Sequence, residues 1–103
     1  MRLKAGVKLD ALTPQIVLAA IIVQECYRER GGKTTITSAN DGVHSTLSLH
    51  YSGKALDFRT KNFAGNKRAL ILDIKERLGD DFDVLLEEEG QENEHLHIEW
   101  DIR

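Results

Sequence analysis

The chain predicts an α+β fold in which two helices pack on one small, mainly antiparallel sheet. Three observations carry this. Two segments have apolar residues at helical spacing and well-marked ends. Five others are short and β-branched or alternating. The last two of these are separated by a single polar loop, as in an antiparallel hairpin.

Residues 3–9 alternate weakly through Leu3, Ala5, Val7 and Leu9, which suits a short edge strand. Thr13-Pro14 opens the first helix, because a threonine hydroxyl caps free N–H groups and proline has none to satisfy. Ile16, Val17, Ala20, Ile21, Val23, Gln24 and Tyr27 carry a broad apolar face to about Arg30, and Gly31-Gly32 ends it. Lys33 to Ser38 alternates and is β-branched, hence a strand. Ala39 to Leu49 is mostly polar, with a turn at Asn40-Asp41-Gly42.

Ala55 to Thr60 is the next strand, with Ala55 and Asp57 on one face and Leu56 and Phe58 on the other. Lys67 to Leu78 is an amphipathic helix with Leu70, Ile71, Ile74 and Leu78 inward, stopped by Gly79. Phe82 to Glu87 and His95 to Ile102 complete the sheet, joined through Glu88 to Asn93.

A chain of 103 residues without repeats or linker tracts is expected to form one domain, and a monomer. Its net charge of −3 and pI near 5.8 exclude the broadly basic surface that nucleic acid requires. Cys26 is the only cysteine, so no internal disulfide forms, and its apolar helical setting makes it a small buried hydrophobe. The N-terminus lacks the apolar core of a signal peptide, and Ile16 to Val23 is far short of the ~18 residues of a membrane span. Synthesis in a cytoplasm without membrane insertion is the expectation.

Two stretches carry chemistry. Ser48-Leu49-His50-Tyr51-Ser52-Gly53-Lys54-Ala55-Leu56-Asp57 sets an imidazole and a carboxylate seven residues apart, with a glycine between them. Glu94-His95-Leu96-His97-Ile98-Glu99-Trp100 adds further imidazoles and carboxylates. Both group types bind zinc, and a catalytic zinc takes three protein ligands and leaves a position open. Ser48 to Asp57 fits, at every fixed position, the S-x-H-x-x-G-x-A-x-D motif of the zinc D,D-carboxypeptidase, D-Ala-D-Ala dipeptidase and L-alanyl-D-glutamate endopeptidase family, and Glu94 to His97 fits its E-x-x-H motif. The chain thus resembles that family, more loosely from about residue 14 to Trp100.

The resemblance implies a hedgehog/DD-peptidase-like fold, a Zn2+ held by His50, Asp57 and His97, and Glu94 as general base. It implies hydrolysis of peptidoglycan stem peptides next to a D-amino acid, with L-Ala-D-Glu endopeptidase preferred over D-Ala-D-Ala carboxypeptidase. A phage lysin or a catalytic module of a phage particle, acting at the cell wall after release, fits that picture. Manganese or cobalt suits the same ligand types.

Ser48 then serves as a hydrogen-bonding support for a ligand. Strict alternation places His95, His97 and Glu99 on one face and Glu94, Leu96 and Ile98 on the other. Glu94 and His97 can therefore work together only if Glu94 lies before the strand or at a kinked start. His95 then lines the cleft or contacts substrate.

One feature departs from the family. Ala39-Asn40-Asp41 stands where relatives often carry a substrate-binding arginine, leaving Arg28, Arg30, Arg59 or His44 to replace it. Tyr51 and Trp100 read as core or cleft wall. Asp80, Asp81, Asp83, Glu87, Glu88 and Glu89 lack the spacing of a calcium-binding EF-hand loop and read as a solvated face. Two other readings stand against the peptidase: a non-catalytic zinc-binding module of the same fold, and a metal-free binding domain.

Overall fold

The computed structural model describes residues 1–39 and 53–101. Ser48, His50, His44 and Tyr51 lie outside the described residues.

The first element is a two-residue strand, β1 (Arg2–Leu3). The weak alternation of residues 3–9 does not extend it, because the chain turns at once: Val7 N–H donates to the Lys4 carbonyl and Gly6 takes φ +90°. Helix α1 (Pro14–Glu29) starts where the cap and proline place it, with Thr13 Oγ1 accepting from Ile16 N–H at 3.3 Å. It buries Ile16, Ala19, Ala20, Val23, Cys26 and Tyr27, a stripe of i, i+3, i+4 spacing. Burial also raises the Cys26 thiol pKa, so this group stays a neutral core filler. After Arg30, Gly31 at φ +75° turns the chain.

Strands β2 (Thr35–Ser38) and β3 (Ala55–Arg59) follow. Helix α2 (Lys67–Leu78) is capped by Asn66, whose Oδ1 accepts from Ala69 N–H at 3.0 Å, and it ends at Gly79. Leu70 and Ile74 are its fully buried positions, with Ile71 and Leu78 half-buried beside them. The hairpin of β4 (Phe82–Glu87) and β5 (His95–Trp100) closes the fold.

The sheet order is β1-β2-β3-β5-β4; β1 and β2 run parallel and every other pair is antiparallel. Both helices lie on one face, where Ile36, Leu56, Phe58, Val84, Leu96 and Ile98 form the sheet's half of the core. Side chains alternate along strands, so the opposite face carries Asp57, Arg59, His95, His97, Glu99, Asp83, Leu85 and Glu87. Among the described residues no helix is long and apolar enough to cross a membrane.

Gly53 leads into β3. It adopts φ +74°, and its carbonyl accepts from Thr13 N–H at 3.0 Å. A Cβ on this residue would stand 2.0 Å from the Ala11 carbonyl oxygen, so the loop before α1 touches bare backbone here. Gly53→Ala is expected to destabilise the protein by roughly 3 kcal/mol, from left-handed strain added to a backbone clash. A chemical-denaturation midpoint like that of the wild type would show that this contact is not present in solution.

Candidate metal centre

The site is built on the two central strands. β3 and β5 pair so that Asp57 faces His97 and Arg59 faces His95; on the other side of β5, Leu85 faces His97 and Glu87 faces His95. Leu56, Phe58, Leu96 and Ile98, which alternate with the polar residues, are all fully buried. The polar groups are thus held on the outer face by side chains that cannot leave the core. A slip of one residue would exchange the two sets.

On this face His97 Nδ1 bonds Asp57 Oδ1 at 2.7 Å and His97 Nε2 bonds Glu99 Oε1 at 2.7 Å. Both ring nitrogens meet carboxylate oxygens, so both donate and the imidazole is held protonated. Burial disfavours that charge, but hydrogen bonds to Asp57 and Glu99 and the nearby charges of Asp57 and Glu87 outweigh it, raising the His97 pKa to about 9. His95 Nδ1 donates to the Asn93 carbonyl at 2.8 Å, and Nε2 bonds Glu87 Oε1 at 3.0 Å. Its Nε2 also stands 3.8 Å from Asp57 Oδ2. Burial again opposes its charge, and Asn93, Asp57 and Glu87 together turn the balance upward.

Three carboxylates and two imidazoles therefore share one patch, an arrangement with excess affinity for positive charge. One donor atom each from Asp57, Glu87 and His95 lies within 4.8 Å of the others, close enough to hold a metal ion. Oxygen and imidazole nitrogen donors fit a first-row divalent cation. Asp57 also touches His97, so it stands at the centre of either ligand choice. Asp83, Glu99 and Asp101 form a second such cluster beside it.

Of the residues singled out by sequence, the structure brings Asp57, His95 and His97 together. Glu94 lines the same hollow as Asp57 and His95, but its carboxylate is engaged by other donors. Glu94 lies just before β5, as its motif role requires, but its side chain is buried and turned to Thr60 on the helix side of the sheet. Glu94 Oε1 accepts from the Thr60 hydroxyl and the Lys67 ammonium, each at 2.6 Å, and Oε2 accepts from Gly90 N–H at 2.9 Å. The Gly90 N–H, then Lys67, then Thr60 hold its pKa down at about 2. A carboxylate so occupied is a weak base. In this geometry it clamps the 88–94 loop to Thr60 and the first turn of α2.

Sequence reasoning missed Glu87 and Glu99. Glu87 was read as part of a solvated acidic run, yet it bonds His95. The signal was present in the alternation of β5 for Glu99, and in the length of the loop for Glu87, which decides its position opposite His95. Trp100 is half-buried against the core, with the Lys54 ammonium 5.6 Å from its ring centre. Arg28 pairs with Glu25, and Arg30 with Asp73. Arg59 stands on the site face with no ion pair among the described residues.

Fold and site together define a small α+β protein with an imidazole–carboxylate cluster able to hold a metal ion. No protein-family model matches the chain, and no curated protein matches it.

Proposed function

We infer that the chain is a zinc-dependent peptidase of the hedgehog/DD-peptidase fold that hydrolyses peptidoglycan stem peptides next to a D-amino acid. The observation that carries this reading is the direct pairing of Asp57 with His97 across β3 and β5, because these are the described ligands of the two motifs. His50, the third ligand of the motif, lies outside the described residues.

In this reading Asp57 and His97 would hold the ion, which would replace the proton shared between them at His97 Nδ1. Glu99, bonded to the far nitrogen of His97, fixes the ring's orientation and raises its basicity. When bound, zinc supplies the acidity that makes water a nucleophile near neutral pH and the charge that polarises a peptide carbonyl. Two groups compete to carry the proton. Glu94 has the motif position, whereas His95 has the place on the face, with its ring oriented by Asn93 and Glu87. The geometry favours His95.

The decisive experiment is digestion of purified peptidoglycan by zinc-loaded protein, with products identified by mass spectrometry, beside Glu94→Gln and His95→Gln. New termini at Ala-Glu or Ala-Ala bonds are expected, and they name the scissile bond. Loss of turnover by at least about 100-fold in His95→Gln, with zinc still bound, would make His95 the proton carrier. The same loss in Glu94→Gln alone would return that role to Glu94. The second reading, a non-catalytic zinc-binding module, draws support from the engagement of Glu94 by three donors. Tight zinc binding with no cleavage by any form would establish it.

A further inference from the structure

Beside the metal-binding face lies a cavity of about 600 Å³, between the N-terminal segment, the turn after α1 and the loop 62–65. Arg2, Lys4, Arg30, Lys33 and Arg59 line it, and among the described residues no aspartate or glutamate does. In a chain of net charge −3, five cationic side chains around one cavity are a local feature and not a reflection of composition. Arg30 bonds Asp73 at 2.7 Å. Arg2, Lys4, Lys33 and Arg59 have no ion pair among the described residues, leaving four charges to meet an anion.

The wall is built as well as charged. Phe63 lines the cavity, nine-tenths buried and set edge-on to Tyr27 with ring centres 5.5 Å apart. Gly32 and Gly65 allow the ring to lie there, because a Cβ on either would come within 2.9 Å of it. An apolar wall under a ring of cations suits a ligand with an aliphatic body and carboxylate ends.

The cavity and the site share two lining residues. Lys4 and Arg59 also line a smaller hollow of about 270 Å³ that contains Asp57 and His95. Arg59 follows Asp57 by two residues on the same strand face, a separation of about 7 Å. That is the span of two residues of an extended peptide, so a chain whose scissile bond lies at Asp57 would carry its next side groups past Arg59.

We propose that this cationic cavity is the subsite for the free carboxylates of an acidic peptide substrate, with Arg59 and Lys4 at its junction with the metal-binding face. This deepens the peptidase reading and rests on it. It also supplies what the departure at Ala39-Asn40-Asp41 took away, from a different part of the fold.

The probes are the tetrapeptide L-Ala-D-Glu-L-Lys-D-Ala and the same peptide with its free carboxyls amidated. Binding to metal-free protein is followed by calorimetry, and cleavage by the zinc-loaded protein is followed by mass spectrometry. The acidic peptide is expected to bind at least about tenfold more tightly than the amidated one, a margin that shrinks as salt is raised. Arg59→Gln and the pair Lys4→Gln with Lys33→Gln should each remove about that tenfold, raising KM for the acidic peptide and leaving kcat unchanged. Lys75→Gln, on the exposed side of α2, should change neither, and circular dichroism verifies folding of each variant.

Equal binding of both peptides, or equal KM in the wild type and Arg59→Gln, overturns the assignment while cleavage preserves the peptidase reading. Charge-dependent peptide binding without cleavage under any metal does the reverse. Tighter binding of a duplex oligonucleotide or of phosphatidylglycerol vesicles than of the acidic peptide also overturns it.

Discussion

Replacing Glu94 by alanine is expected to destabilise the protein by about 3 kcal/mol without removing its metal site. Glu94 is 7% exposed and accepts three hydrogen bonds, two of them from buried or partly buried side chains. Alanine would leave the Thr60 hydroxyl, the Gly90 N–H and the Lys67 ammonium without their shared acceptor. Lys67 keeps 31% of its side-chain surface, so water recovers part of its solvation, and the loss falls at the lower end for a broken buried pair. Glu94→Gln keeps one acceptor oxygen, enough for Gly90 N–H or for the Thr60 and Lys67 side but not both, and should recover only part of that loss.

The same arrangement gives a pH signature. The Glu94 carboxyl titrates near 2 in the folded protein against an ordinary value of 4.5. Its contribution is therefore complete above about pH 4.5 and is lost as the pH falls through 2. The stability difference between wild type and Glu94→Ala should narrow over that window, measured by urea denaturation at each pH. A constant difference from pH 5 to pH 2 would show that the carboxylate is not held as described. Unaltered stability with complete loss of hydrolysis would restore the motif's view of Glu94 as a base.

The second large effect is on metal. Asp57→Ala and His97→Ala are each expected to weaken zinc binding by at least about 100-fold, in competition with a chromogenic chelator. Removing a direct ligand should exceed the loss from removing an outer partner, which sets that lower bound. Zinc at a thousand times its dissociation constant stabilises the wild type by about 4 kcal/mol, and this thermal shift should disappear in both variants. Asp57 touches both imidazoles, so its loss is decisive for either ligand set. The histidines distinguish the sets. Wild-type affinity in His97→Ala, with loss in His95→Ala and Glu87→Ala, would move the ion to the Asp57, Glu87 and His95 cluster.

Much of the fold was legible because its signals are local. Thr13-Pro14 and Gly31-Gly32 bracket α1, and Gly79 ends α2, through cap chemistry confined to a single turn. The bounds of β4 needed only alternation and flanking turn residues. The weak pattern of residues 3–9 failed for the opposite reason: alternation without β-branched residues did not outweigh the turn at Gly6, and only Arg2–Leu3 pair with β2.

The site divides along the same line. Alternation in β5 placed His95, His97 and Glu99 on one face from sequence alone, because the period of a strand is a property of its own backbone. The side to which Glu94 turns could not be read that way. It depends on Thr60 and Lys67, 34 and 27 residues earlier in the chain, and on a glycine N–H in the same loop. Glu87 and Arg59 likewise acquired their meaning from strand register and from a cavity built of three separate segments. The sequence by itself determined which chemical groups the chain could offer and which strand face would carry them. Only the tertiary structure decided which carboxylate faces an imidazole and which is buried against an ammonium, because those energies depend on distances between residues far apart in the chain.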